Sequence, residues 1–359
     1  MKRSRRRLFL ASAATAAMAA MPGCGRRPAD APPASAAAPG PASTPAPAPA
    51  SASASTSTST STSTSTSAAA PPAFDAIRIS HALGTTVIER RPERVAALEM
   101  NEVDFLDQLG IPIAGMAKDY VPHFLARYGD DPNVQDLGAI VQPNLERVHA
   151  LAPDLILITP IQASHYQELS EIAPTLHFDV DFKNSRSRHI EVVGEHLATL
   201  GRIFGKDDIA RERKRALEAK VRDARRAIDG RAERALIVLH NNGAFASFGV
   251  QSRYGFVFSA LGVRPASEAV ETSLHGQPIS SEFIQQADPD ILYVVDRTAV
   301  MERRPVIDAE RLANPLLRRT RAWKNGRVVF VDPDAWYITG ASPTAVERIV
   351  DDVLEGYRG

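Results

Sequence analysis

One cysteine, Cys24, in 359 residues excludes an intramolecular disulfide and any multi-cysteine metal centre. Net charge is missing as well: 42 basic residues balance 42 acidic ones. That balance gives no support to nucleic acid or another polyanion as partner, so an anionic ligand has to be held by a local cluster of arginines. The apolar run Leu8 to Ala20 is too short to cross a bilayer as a stable anchor. Also lacking are a Gly-x-Ser-x-Gly elbow, a His-Glu-x-x-His helix and a Gly-x-x-x-x-Gly-Lys phosphate loop. These absences weigh against an exported α/β hydrolase using a Ser-His-Asp set.

The N-terminus does carry an address. Lys2, Arg3, Arg5, Arg6 and Arg7 precede the apolar run, as in a bacterial export signal, and Arg6-Arg7-Leu8-Phe9-Leu10 resembles the twin-arginine pattern. Met21-Pro22-Gly23-Cys24 follows directly and resembles a lipobox, in which the cysteine sulfur is acylated and becomes the mature N-terminus. Residues 1–23 are therefore expected to be a signal peptide, and their removal leaves a mildly acidic chain. Residues 24–73 are nearly all Pro, Ala, Ser and Thr, with unbroken Ser-Thr alternation from Ser55 to Ser67. Such a segment cannot bury enough apolar surface to offset its ordering entropy and reads as a lipid-anchored tether.

The remaining residues are too many for one comfortable core and enough for two lobes. Strand-like runs occur at Arg94 to Leu98, Ile111 to Met116, Leu155 to Thr159, Leu176 to Val180, Ala235 to His240, Ile291 to Val295 and Arg327 to Val331. Helical patterns alternate with them at Val103 to Leu109, Leu145 to Leu151, Ile190 to Phe204 and Glu282 to Ala287, predicting α/β lobes with mainly parallel sheets. Phe74 to Ile79 and Thr85 to Ile88, flanking Ala82-Leu83-Gly84, predict an antiparallel hairpin at a sheet edge. A weak repeat relates Leu145 to Ile156 to Ser281 to Leu292. In each, a glutamate opens a short helix and Pro-Asp leads into a buried strand. Between the copies, Asp207 to Ile228 carries a narrow stripe (Ile209, Leu217, Val221, Ile228) among many charges, predicting one long, mostly solvated helix. A single helix is a stiff connection, so lobe motion is expected to be small. The expected boundaries are 74–205 for the N-terminal lobe, 206–229 for the helix and 230–359 for the C-terminal lobe.

The C-terminal lobe contains Ser247-Phe248-Gly249, Ser252-Arg253-Tyr254-Gly255, Leu261-Gly262-Val263, His275-Gly276-Gln277, Val295-Asp296-Arg297 and Asp332-Pro333-Asp334-Ala335-Trp336-Tyr337-Ile338-Thr339-Gly340. With Gly84-Thr85-Thr86, Pro92-Glu93-Arg94-Val95, Leu145-Glu146-Arg147 and Ile172-Ala173-Pro174-Thr175, this order resembles the iron-siderophore solute-binding proteins of ABC importers. It is most similar to the branch that takes catecholates such as petrobactin. The resemblance implies a class III periplasmic-binding-protein fold, two Rossmann-like α/β lobes with mainly parallel sheets joined by one long helix. It implies a monomer with no enzyme activity and no intrinsic cofactor, held at the periplasmic or outer face of the cytoplasmic membrane through Cys24. Ferric iron is carried as a siderophore complex and passed to a permease. Ferric iron prefers anionic oxygen donors, and arginine, a permanently charged fork, suits the resulting anionic complex.

By the same resemblance Arg253 and Arg297 face the siderophore, and His275 and Tyr337 complete the iron shell when the siderophore offers only four donors. Glu146 and Glu282 face the permease, one per lobe. Trp336 is expected to pack inside the lobe or shape the cleft. The branch usually has a third arginine where this chain has Ile161, which leaves the siderophore type open; Arg186, Arg188, Lys118 and His165 are the nearby substitutes. Haem or cobalamin on the same fold is the nearer alternative, since Tyr337 or His275 could also serve haem as an axial ligand.

Overall fold

Ile291–Asp296 is buried at every position, which a strand reaches only when both faces of its sheet are covered. The computed structural model that reveals this describes residues 74–180, 188–267 and 275–358; the signal, the tether with Cys24, and Arg186 lie outside the described residues. Two sheets organise the rest. The first is wholly parallel, in the order Gln135–Asp136, Gly115–Met116, Val95–Ala97, Leu155–Ile158 and Thr175–His177. The second runs Gln277–Ile279, Ala244–Phe248, Arg234–Asn241, Ile291–Asp296 and Val328–Phe330, with Arg264–Pro265 also paired to Arg234–Asn241. Its centre is parallel, but Ala244–Phe248 is antiparallel to both neighbours. The N-terminal hairpin, Ile77–His81 with Gly84–Ile88, is a separate two-stranded sheet instead of a sheet edge. It is tied to the first sheet by the Thr86 hydroxyl donating to Thr175 O.

The repeat in the sequence is built the same way twice. Asn144 caps helix Leu145–Leu151 by accepting from Arg147 N, and Ser280 caps Ser281–Ala287 by accepting from Phe283 N. Both helices end on a left-handed residue, Ala152 or Asp288. The Pro-Asp carboxylate then accepts from the backbone N–H of the arginine at the adjacent strand: Asp154 from Arg94 N at 2.8 Å, Asp290 from Arg234 N at 2.8 Å. Each of those arginines in turn donates to a carbonyl in the last turn of its helix, Leu151 O or Ala287 O.

Helix Asp207–Ile228 follows the first half and precedes the second. It buries Ala210, Leu217, Val221, Ala224 and Ile228 against helices His189–Phe204 and Pro343–Glu355, leaving Ile209 half-buried. The halves also grip each other directly. Helix Met100–Gln108 places Asp104, fully buried, where Thr344 donates to it through its N–H (2.8 Å) and its hydroxyl (2.6 Å). Gln108 Nε2 donates to the Thr344 hydroxyl, and Asn101 Oδ1 accepts from Ala341 N. Phe124 of the first half lies under the Arg348 guanidinium. Sliding or hinging of the halves would break these part-buried hydrogen bonds at about 1 kcal/mol each.

Candidate functional site

Tyr337 rides on a single π-helical turn, Asp334–Thr339, a distortion often found at functional positions. Asp332 Oδ1 starts the turn by accepting from Asp334 N and Ala335 N. Trp336 locks it inward: the ring is fully buried and its Nε1 donates to Asp352 at 2.8 Å. Burial raises the Asp352 carboxyl to about 6. Gly340 ends the turn at φ 44°, and a Cβ there would lie 3.2 Å from Arg253 Nη2.

The Ser-Arg-Tyr-Gly motif positions the first arginine. Ser252 folds back onto Gly249 O, Tyr254 is buried with its hydroxyl donating to Trp336 O at 2.7 Å, and burial raises that phenol to about 12. Gly255 is obligatory, because any Cβ would stand 2.5 Å from Val250 O. Arg253 is thereby aimed at the Tyr337 turn. Its Nη2 donates to Tyr337 O at 3.0 Å, while its Nε is buried with no hydrogen-bond partner among the described residues. Arg297, directly after strand Ile291–Asp296, donates from Nε to the Tyr337 hydroxyl at 2.7 Å. Both guanidiniums lie within 6 Å of the Tyr337 ring, Arg253 at 5.9 Å and Arg297 at 5.5 Å. His275 is the fourth member: burial first, then the charges of Arg253 and Arg297, lower its pKa. That shift favours the neutral imidazole, the form able to bind a metal.

Four residues from four separate motifs thus converge. Tyr337 and Arg253 line a cleft of about 140 Å³, whose opposite wall comes from the first half. Ile161 is on that wall, fixed by a capping box in which Thr159 and Gln162 bond reciprocally, and it is 42% exposed. No described residue supplies a third cation there. Lys118 donates to Asp131 O, His165 pairs with Glu168, and Arg188 is held by Glu191 and Glu195. Glu146 and Glu282 are both exposed, each in the first turn of its repeat helix, where the helix dipole also favours an acid.

Sequence reading missed the floor of the cleft. Glu99 and Glu102 are both buried and hydrogen-bonded to each other, and Glu99 also accepts from Asn101 N and Nδ2. Burial raises both carboxyls, Glu102 the further because the Glu99 charge adds to the burial. Beside them His196 stacks on Phe178 at 4.3 Å and meets Phe105 edge-on, and burial keeps this imidazole neutral, down to about 3. A second convergence, His123 with Asp332 and Asp334, has metal-ligand spacing. Its oxygens are already used, however: Asp334 Oδ2 accepts from His123 N and Asp332 Oδ2 pairs with Arg348. It is an ion-pair network between the halves.

Comparison with known proteins agrees with this architecture. The family described as periplasmic binding protein matches residues 95–335. The ferric-anguibactin-binding protein FatB of Vibrio anguillarum is 61% identical over 282 residues, 79% of this chain and 88% of that one. The petrobactin-binding protein YclQ of Bacillus subtilis is 30% identical over 287 residues, again 79% and 88%. Among solved structures, the siderophore-binding protein BauB, bound to two molecules of acinetobactin and ferric iron, superposes with a TM-score of 0.76. It is 62% identical, covering 79% of this chain and 99% of that one. Matches that run through both sheets and the cleft between them make this chain a member of the periplasmic binding protein family, with its class III fold.

Proposed function

We propose that the protein captures a ferric siderophore of catecholate or mixed catecholate type outside the cytoplasmic membrane and delivers it to an ABC importer. The observation that carries this reading is the convergence of Arg253, Arg297, His275 and Tyr337 at one side of the cleft. Two permanent cations there suit an anionic iron complex, and the unpartnered Arg253 Nε is a donor awaiting an oxygen acceptor. Relatives that bind ferric anguibactin, petrobactin and ferric acinetobactin support the ligand class.

In this reading Arg253 and Arg297 hold the ligand's anionic oxygens. His275 and Tyr337 would complete the shell of a ferric ion left short by a four-donor siderophore, the phenol releasing its proton to solvent as it becomes a ligand. Tyr337 then exchanges the Arg297 contact from acceptor of a hydrogen bond to charge-paired phenolate. Glu146 and Glu282, on separate rigid halves, orient the protein over its permease. Residues 1–23 direct export, Cys24 is lipidated, 24–73 tether a monomeric two-lobed body to the membrane, and the helix at 206–229 joins lobes 74–205 and 230–359.

The test is quenching of intrinsic fluorescence on titration with ferric catecholates, ferric hydroxamates, haemin and cobalamin. Selective, tight binding of a ferric catecholate or mixed catecholate is expected. Binding of haemin or cobalamin alone would keep the fold and overturn the ligand, and binding of none would reopen the hydrolase alternative.

A further inference from the structure

The cleft has a second chemical character beyond its arginines. On the floor, Glu102 lines the cavity, is 1% exposed, and leaves Oε2 buried with no hydrogen-bond partner among the described residues. An orphaned buried acceptor costs free energy in the empty protein and is repaired only by a donor brought to it. Its other bond is to Glu99, which is itself held by the Asn101 N–H and side-chain amide, so Glu102 is not free to swing out toward water. The walls around it are planar: Phe178 and His196 stacked at 4.3 Å, with Phe105 closing the corner 5.8 Å from His196 and 6.3 Å from Phe178. The half-open cleft of about 140 Å³ is close in volume to the engineered apolar cavity of about 150 Å³ that takes up benzene. The acceptor lies at the floor, while Arg297 stands outside the ring of residues that line it.

We propose that this floor is a specificity subsite for a non-chelating arm of the ligand, a flat aromatic ring bearing an N–H or O–H donor, with Glu102 Oε2 as the acceptor and Phe105, Phe178 and His196 as the ring contacts. The proposal rests on the ferric-catecholate reading of the same cleft and adds which catecholates are chosen. An aromatic arm gains by apolar burial and ring contact; a donor on it gains again by pairing the orphan oxygen. A carboxylate arm meets an acceptor oxygen and an apolar wall, and is disfavoured.

Three probes separate these terms: the ferric complexes of 2,3-dihydroxybenzoyl amides of tryptamine, phenethylamine and glycine. They share the chelating head and differ only in the arm, which is aromatic with a donor, aromatic without one, or anionic. Affinities are measured by fluorescence quenching on the full protein, on Glu102→Met and on Glu102→Gln. The wild type is expected to bind the tryptamine complex about tenfold more tightly than the phenethylamine complex, one hydrogen bond's worth, and the glycine complex most weakly. Glu102→Met should erase the difference between the two aromatic arms while still binding both. Glu102→Gln, which retains a carbonyl acceptor, should keep a preference and shows that the site tolerates substitution. Equal affinities for all three arms in the wild type, or an unchanged tryptamine preference in Glu102→Met, overturns the subsite and leaves the proposed function standing. Failure of all three complexes to bind the wild type overturns the proposed function and the subsite with it.

Discussion

Replacing Arg253 by methionine should separate ligand binding from stability. In the empty protein the guanidinium contributes one hydrogen bond to Tyr337 O, about 1 kcal/mol, and contacts to the Tyr254 and Tyr337 rings at 5.4 and 5.9 Å, about 0.5–1 kcal/mol each. Against that, the buried Nε without a partner costs about 1–3 kcal/mol. Methionine keeps the apolar stem, so the balance lies within about 2 kcal/mol of zero. Toward an anionic ligand the terms no longer cancel. A unit charge about 5 Å from a ligand oxygen, at an effective dielectric constant of about 20, contributes roughly 3 kcal/mol per ligand charge, or about a hundredfold in affinity. Urea unfolding and ligand titration on the same variant measure both quantities, and the lost affinity should be the part of wild-type binding that weakens as salt is added. If affinity stays within threefold while stability drops by more than about 3 kcal/mol, Arg253 is a structural cation and the electrostatic argument is wrong.

Tyr337→Phe and His275→Ala should each alter the visible charge-transfer band of a bound four-donor ferric siderophore and leave that of a six-donor one unchanged; identical spectra for the four-donor complex would remove both residues from the iron shell. Asp104→Ala deletes two hydrogen bonds between the halves and strands the half-buried Thr344 N–H, so urea unfolding should show a loss of about 2–4 kcal/mol. A loss under about 0.5 kcal/mol would mean that the halves do not depend on this contact. His189 stacks on Phe256 at 4.3 Å, and burial holds it neutral, down to about 4. The unfolded imidazole takes its proton near 6.5. Stability present above 6.5 is therefore lost as pH falls through the interval to about 4. His189→Phe should lose less stability than the wild type between pH 7 and pH 5, and an equal loss would contradict the assignment.

The elements that could be read from the sequence are those whose pattern is local. The stripe Leu217, Val221 and Ile228 marks one face of a helix that runs the full Asp207–Ile228, and the Pro-Asp repeat marks two helix-to-strand turns with the same hydrogen bonds. Strand Ala244–Phe248 went unread although its signal is present. Asn242-Gly243, at φ 48° and 86°, is the positive-φ pair that a tight hairpin needs, and it folds Ala244–Phe248 back on Arg234–Asn241. The hairpin at the N-terminus was legible as a hairpin but not in its placement, because nothing local says which sheet a two-stranded ribbon joins. The cleft floor was beyond local reading. Glu99 and Glu102 look like solvated acids at a helix start, and only the packing of Phe105, Phe178 and the Tyr337 turn around them makes them buried. Arg253 and Arg297 lie 44 positions apart, and their meeting at Tyr337 depends on the order of the strands in the second sheet.

Crystals of the protein grown with a four-donor ferric catecholate and measured at the iron absorption edge would locate the iron. One anomalous peak is expected in the cleft, facing the Tyr337 hydroxyl and His275 with both arginines turned toward the ligand oxygens. A peak at His123, Asp332 and Asp334 instead, or none in a crystal that has taken up the siderophore, would contradict it.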